Sequence, residues 1–221
     1  MELFFFDIET SGTHSDYETF KLQDERGAKL FQSKFEKMCW NEKYKDISEA
    51  YIENAGIIST YGKICCISFG FIDNSGGYQI KSLYGEDEKQ IVEDFNNLLK
   101  KIQTKNFKLS GFRVTHFDIP WLLHKLHKYD IIPADIILTY GKKPWEMRIV
   151  DMFEDWKGKF AWSISFDEIC YELNINSPKD SMNGSKVHEA YWQGRLDDIK
   201  NYCERDVLAC IEVSKKLYKK E

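Results

Sequence analysis

Glu2-Leu3-Phe4-Phe5-Phe6-Asp7-Ile8-Glu9 is the stretch whose reading decides the fold. Residues 2–8 show no alternation of polar and apolar side chains, so a strand here is apolar on both faces. Such a strand belongs in the middle of a sheet covered on both sides. Strand geometry then points Asp7 and Glu9 to one face. Two carboxylates side by side at the end of a buried strand repel each other unless a cation lies between them. The triplet Asp-x-Glu alone is weak, because roughly one or two are expected by chance in a chain this acidic. Asp16-Tyr17-Glu18 is a second match, and in its polar segment it reads as a pair of solvated acids.

Outward from this strand, Lys63–Ile72 and Tyr78–Leu83 are β-rich runs separated by Asp73-Asn74-Ser75-Gly76-Gly77, a hairpin signal. Asp87–Ile102 sets Ile91, Phe95, Leu98, Leu99 and Ile102 on one helical face. Phe107–Leu109 and Arg148–Val150 are short candidate strands. Asp118–Tyr129 reads as a helix, with Asp118 able to cap and Pro120 tolerated in the first turn. Ser165-Phe166-Asp167-Glu168 is a capping box opening a helix through Leu173, and Asp197–Tyr218 reads as a helix of about six turns. Residues 14–55 stand apart: dense in mixed charge, with Leu30, Phe31, Phe35, Met38 and Cys39 at helical spacing. They predict a helical insertion beside the sheet. The expectation is an α/β fold, a mixed five-stranded sheet flanked by helices, whose element order resembles the ribonuclease H-like nuclease architecture.

The 221 residues are expected to form one domain, 1–221, with an ordinary soluble composition of 43% hydrophobic and 30% charged residues. Leu3–Phe6 is far too short to span a membrane and no basic segment precedes it, so the expected setting is cytoplasmic. Six cysteines, at 39, 65, 66, 170, 203 and 210, include no Cys-x-x-Cys pair, which removes a zinc site of the usual spacing. They read as small apolar residues of a reduced chain. A net charge of −5 argues against charge-driven wrapping of long nucleic acid. It leaves room for a site that handles one chain end together with a metal.

The last helix carries the second acidic signal. Ile199, Cys203, Val207, Cys210, Ser214 and Leu217 define its inward stripe, and Asp206 falls inside it. Tyr202 lies one turn earlier, at the i, i+4 spacing that lets side chains meet. An ionised aspartate on an inward face costs several kcal/mol unless it is paired or bound to metal. Asp118, at a helix start, reads singly as an N-cap. Together, Asp7, Glu9, Asp118 and Asp206 form an oxygen-rich set suited to Mg²⁺ or Mn²⁺. Two such ions about 4 Å apart clamp the attacking and leaving oxygens of a phosphodiester. Asp7 is the natural bridge. Glu9 and Asp206 complete the ion that holds the nucleophilic water, and Asp118 holds the second. Tyr202, with an ordinary pKa near 10, suits orienting the water better than acting as a base.

Phe6-Asp7-Ile8-Glu9-Thr10, Phe117-Asp118 with Pro120, and Tyr202-Cys203-Glu204-Arg205-Asp206 resemble the three exonuclease motifs of the DEDD superfamily in its tyrosine branch, since the position a histidine branch would use is Asn201. The resemblance is closest to predicted 3′–5′ exonucleases related to the proofreading domain of family B DNA polymerases. It extends through Gly56 and Tyr61–Ser68, and through Ser177–Asp180, Gly184 and Val187–Glu189, over nearly the whole chain. It implies two Mg²⁺ or Mn²⁺ ions, single-stranded DNA 3′ ends as substrate, and release of nucleoside 5′-monophosphates. An RNA exonuclease of the same superfamily and a non-catalytic nucleic-acid-binding relative are the alternatives. A polymerase or repair partner is left open.

The second motif departs from the family pattern: Gly111-Phe112-Arg113 carries Arg113 where asparagine is expected. Arginine there either grips a phosphate bidentately or turns outward. Thr10, Phe112, Arg113 and Lys179 are the candidate substrate contacts. The histidines show no metal-binding spacing, and the lysine-rich stretches at 100–108 and 215–220 read as helix-end charge.

Overall fold

The computed structural model describes residues 2–159, 163–177 and 182–218. Its five strands are β1 (Glu2–Gly12), β2 (Gly62–Ile72), β3 (Tyr78–Tyr84), β4 (Phe107–Gly111) and β5 (Ile149–Asp151). They form one mixed sheet in the order β3-β2-β1-β4-β5. β1 is central, as its double-sided apolar sequence demands. It runs antiparallel to β2 and parallel to β4.

The two faces of β1 enter different cores. Phe4, Phe6 and Ile8 pack with α4 (Glu88–Ile102) and α5 (Asp118–Lys128). Phe5 faces the other way, into a cluster with α7 (Phe166–Glu172) and α9 (Leu196–Leu217). Each fully buried phenylalanine contributes about 1.5–3 kcal/mol, so both helical layers are anchored to one strand. Asp7 and Glu9 continue the face of Phe5, toward α9. The inward side of α9 is broader than the expected stripe and includes Tyr202, Ala209, Ile211 and Val213.

Residues 14–55 do form helices: α1 (Tyr17–Gln23), α2 (Glu25–Lys37) and α3 (Ile47–Asn54). Their inward face is not the expected one. Phe31 is buried, but Leu30 and Met38 are 52% and 56% exposed and Cys39 is exposed. The buried cluster is instead Tyr17, Phe20, Ala28, Phe31 and Tyr51, closed by Tyr61. Three short helices meeting at their aromatic residues fix this face, and periodicity within one helix carries no information about that meeting. The remaining helices are α6 (Met152–Lys157) and α8 (Val187–Trp192). The capping box at Ser165 and Glu168 is present as expected.

Candidate active site

β1 and β4 pair only from Glu2 to Phe5 on the β1 side. Beyond Phe5 the strands part, which opens a crevice at their carboxyl ends, where open α/β sheets commonly bind ligands. The parting leaves the backbone N–H of Ile8 without a β4 partner. Asp118 fills this place: its Oδ1 accepts the Ile8 N–H at 3.0 Å. Asp118 is thus not the helix cap read from sequence. The cap position is Phe117, which makes no side-chain cap bond, and Asp118 is buried within the first turn of α5.

On the β2 side the register shifts between Glu9 and Thr10: Glu9 pairs with Cys66 and Thr10 with Ile64. Cys65 is the extra residue, and its thiol donates to the Glu9 carbonyl at 3.3 Å. Bulges of this kind re-aim side chains. This one lies directly after the acidic pair.

Asp7, Glu9, Asp118, Tyr202 and Asp206 all line one cavity of about 600 Å³. The i, i+4 spacing on α9 brings Tyr202 and Asp206 together, and the tyrosine hydroxyl hydrogen-bonds the Asp206 carboxylate. Ligand atoms of Asp7, Glu9 and Cys203 lie within 4.8 Å of one another. The thiol of Cys203 donates to Asp7 Oδ2 at 3.4 Å.

Electrostatics sets this group apart. Burial, then repulsion from Asp206 and Asp118, pushes the Asp7 carboxyl well above its ordinary value. Burial and repulsion from Asp7 and Asp206 do the same to Glu9. Burial drives Asp118 up to about 7, against the lowering effect of its hydrogen bond from Ile8. Burial and the charges of Glu9, Asp206 and Asp7 raise the Tyr202 hydroxyl far above its usual range, so it remains a neutral donor. Asp7, Glu9 and Asp118 have no lysine or arginine ion-pair partner among the described residues. The donor set fits a hard divalent cation, which would supply the missing positive charge. Cys203 does not turn it into a soft-metal site, because burial holds its thiol well above its ordinary pKa and its S–H is already given to Asp7.

The other expected contacts divide. Phe112 and Arg113 line the same cavity. Thr10 lies in an adjoining cavity of about 280 Å³, which shares Ile8, Glu9, Phe117 and Gly184 with the first, and its hydroxyl is bonded to the Gly56 carbonyl. Lys179 lies outside the described residues. Asp151 was missed by sequence reasoning. This buried acid ends β5 and accepts the backbone N–H groups of Arg113, Thr115 and Phe153 at 2.9–3.0 Å. It thereby sets the loop between β4 and α5 that delivers Asp118. The signal was available, since Ile149-Val150-Asp151 repeats the pattern of an apolar strand ending in an acid. Cys203 was missed because it reads as core. His188 buttresses the end of β1 through the Gly12 N–H and the Ser15 carbonyl, with no role in the acidic cluster.

A family described as predicted 3′–5′ exonucleases related to the exonuclease domain of PolB matches residues 57–213. The chain belongs to this family. The match includes Asp118, Tyr202 and Asp206, while β1 with Asp7 and Glu9, and the helical insertion, precede it. No curated protein matches the chain. Among solved structures, the family B DNA polymerase from the hyperthermophilic archaeon Pyrobaculum calidifontis aligns with 99% of this chain at a TM-score of 0.62 and 15% identity. The aligned part is 24% of that polymerase, so this chain spans about a quarter of its length. The mixed sheet and flanking helices of the exonuclease family member are thus those of the ribonuclease H-like fold. No helix among the described residues is long and apolar enough to cross a membrane.

Proposed function

We propose that this chain is a divalent-metal-dependent 3′–5′ exonuclease that shortens single-stranded DNA from its 3′ end and releases nucleoside 5′-monophosphates, with residues 1–221 acting as one domain. The observation that carries this reading is the convergence of Asp7, Glu9, Asp118 and Asp206 on one cavity, in which Asp7, Glu9 and Asp118 have raised carboxyls and no ion pair with a lysine or arginine among the described residues. In it, Asp7, Glu9, Asp118 and Asp206 would hold Mg²⁺ or Mn²⁺, Asp7 with Glu9 and Asp206 on one side and with Asp118 on the other. Bound divalent cations lower the pKa of a water and offset charge on the departing 3′ oxygen. Tyr202, neutral and bonded to Asp206, orients the attacking water through its hydroxyl oxygen. It is no general base, because its proton is held too tightly. The Ile8–Asp118 hydrogen bond holds the Asp118 carboxylate at the cavity wall.

Digestion of 5′-labelled single-stranded DNA, read as a ladder on a gel with Mn²⁺, Mg²⁺ or chelator, tests the proposal. Stepwise shortening with either ion and none with chelator is the expected result. Activity undiminished by EDTA, or retained in Asp206→Ala, overturns it. A matched RNA oligomer in the same gel decides between DNA and RNA.

A further inference from the structure

Among the described residues, Arg113 is the one lysine or arginine lining the cavity, whose other walls carry Asp7, Glu9, Asp118, Glu168 and Asp206. A cation so placed would ordinarily pair with an acid. Arg113 makes no ion pair with a carboxylate among the described residues. Its guanidinium lies 4.2 Å from the Phe153 ring centroid and its Nη2 donates to the Ser163 hydroxyl at 3.3 Å. Its Nε is buried without a hydrogen-bond partner. Stacking on Phe153 holds the charge off the acids and leaves most of the donor fork unused.

The backbone beneath it is tightly held. Arg113 has φ of 60°, in the left-handed region that residues other than glycine seldom adopt. Its N–H donates to Asp151 Oδ1 at 2.9 Å, and its carbonyl accepts from His116 and Phe117 at 2.8 and 3.0 Å. The same turn delivers Asp118. Arg113 and Asp118 are therefore fixed relative to one another by the six-residue loop Phe112–Phe117, anchored on a buried acid. The arginine does not turn outward.

From this geometry we infer that Arg113 is a specificity-determining residue that grips a second phosphate of the substrate, next to the phosphodiester that is cut. The inference rests on the nuclease reading above. A ligand that fills a cavity acidic on one side and cationic on the other needs one phosphate for cations held by the acids and another for the arginine. A planar fork backed by an aromatic ring suits bidentate binding of phosphate oxygens. Phe112 and Phe166, on the same wall, offer a face for the intervening base. The second phosphate has two sources: the neighbouring linkage of the strand, or a phosphate on the 3′ terminus.

A binding cycle tests this. Fluorescence anisotropy in Ca²⁺ compares wild type, Arg113→Gln and Arg113→Lys on three oligonucleotides: unmodified, with an uncharged methylphosphonate at the linkage next to the terminal one, and with a 3′-phosphate. Arg113→Gln is expected to weaken binding about tenfold, with Arg113→Lys in between. If the neighbouring linkage is the ligand, the methylphosphonate weakens wild type equally and Arg113→Gln no further. If the terminal phosphate is the ligand, wild type prefers the 3′-phosphate about tenfold and Arg113→Gln does not. Independent losses in both arms overturn the assignment, as does wild-type binding by either substituted protein. Wild type that binds but never digests DNA in Mn²⁺ sinks the nuclease reading instead, and the cycle still judges the contact.

Discussion

Two groups of buried charge lie along the same pair of strands and are treated in opposite ways. Glu88 meets the backbone of Ile64, the register partner of Thr10, and accepts its N–H at 2.7 Å. Lys125 stands 3.3 Å from one Glu88 oxygen, and Lys128 and the Tyr129 hydroxyl stand 3.0 and 2.6 Å from the other. Lys125, only 2% exposed, also donates to the Ser59 and Gly62 carbonyls. Despite burial, these partners hold the Glu88 carboxyl below its ordinary value. Across the sheet, the half-buried Asp7 and the buried Glu9 lack such partners among the described residues, and their carboxyls move the other way. One group is complete in the protein alone and locks α4 and α5 to β2. In the other, Asp7, Glu9 and Asp118 are short of positive charge among the described residues. Burial alone therefore does not distinguish structure from function here, but the accounting of counter-charge does.

The sharpest way to break this contrast is Asp7→Asn. If the cluster exists for cations, the substitution lowers Mn²⁺-dependent DNA digestion by about 10³-fold or more. In metal-free buffer at neutral pH the same protein melts higher than wild type, because one repelling buried charge is gone. A variant both inactive and less stable would mean that Asp7 is a structural acid like Glu88. Lys125→Met is the converse experiment. It strands Glu88 and is expected to cost about 3–5 kcal/mol in urea unfolding, with the specific activity of the folded fraction unchanged. Adding Glu88→Gln should recover part of that loss. Strictly additive losses would show that the pair is not coupled.

Acidity separates the groups next. The Asp118 carboxyl sits at about 7 in the folded chain against an ordinary 3.8. Between those values the native state binds more protons than the unfolded one, so this group makes stability fall as pH rises. Asp7 and Glu9, also raised, act in the same direction. Metal-free protein is therefore expected to melt several degrees higher at pH 5.5 than at pH 8, and Mn²⁺ should raise the melting temperature more at pH 8. Glu88 works in reverse: its depressed pKa contributes stability above about 4.5 that is lost as pH falls through the folded value. A melting temperature flat from pH 5.5 to 8 without metal would contradict the raised carboxyls.

What could be read in advance divides along similar lines. The central strand was legible because four apolar residues in a row, then an acid, admit one environment. Asp206 was legible because a helix has a fixed angular step, so an acid among Ile199, Cys203 and Cys210 has to face inward. Asp118 was legible as a residue but not as a contact: its partner, the Ile8 N–H, is freed only because β1 and β4 part after Phe5, a long-range event. The insertion misled for the same reason, since Tyr51 and Tyr61, distant in sequence, decide which side of α2 is inside. Glu88 and Lys125, 37 positions apart in the chain, carried no local sign of their pairing.

The smallest expected effect probes how incomplete the acidic group is. Cys203 offers Asp7 its thiol hydrogen bond, and that bond favours the ionised carboxyl. Thiols are weak donors, so this is a slight counterpart to the Lys125 ammonium at Glu88. Cys203→Ala removes the donor without touching any carboxylate. Asp7 becomes still more reluctant to ionise, and Mn²⁺ has to displace a proton more often before it can bind. Metal affinity, measured by titration calorimetry near neutral pH, is expected to fall by about two- to tenfold. Digestion at saturating Mn²⁺ should stay near the wild-type rate, because the thiol is not asked to hold the ion. A loss that saturating metal does not restore would make Cys203 part of the coordinating set, and the site would then be held by sulfur as well as oxygen.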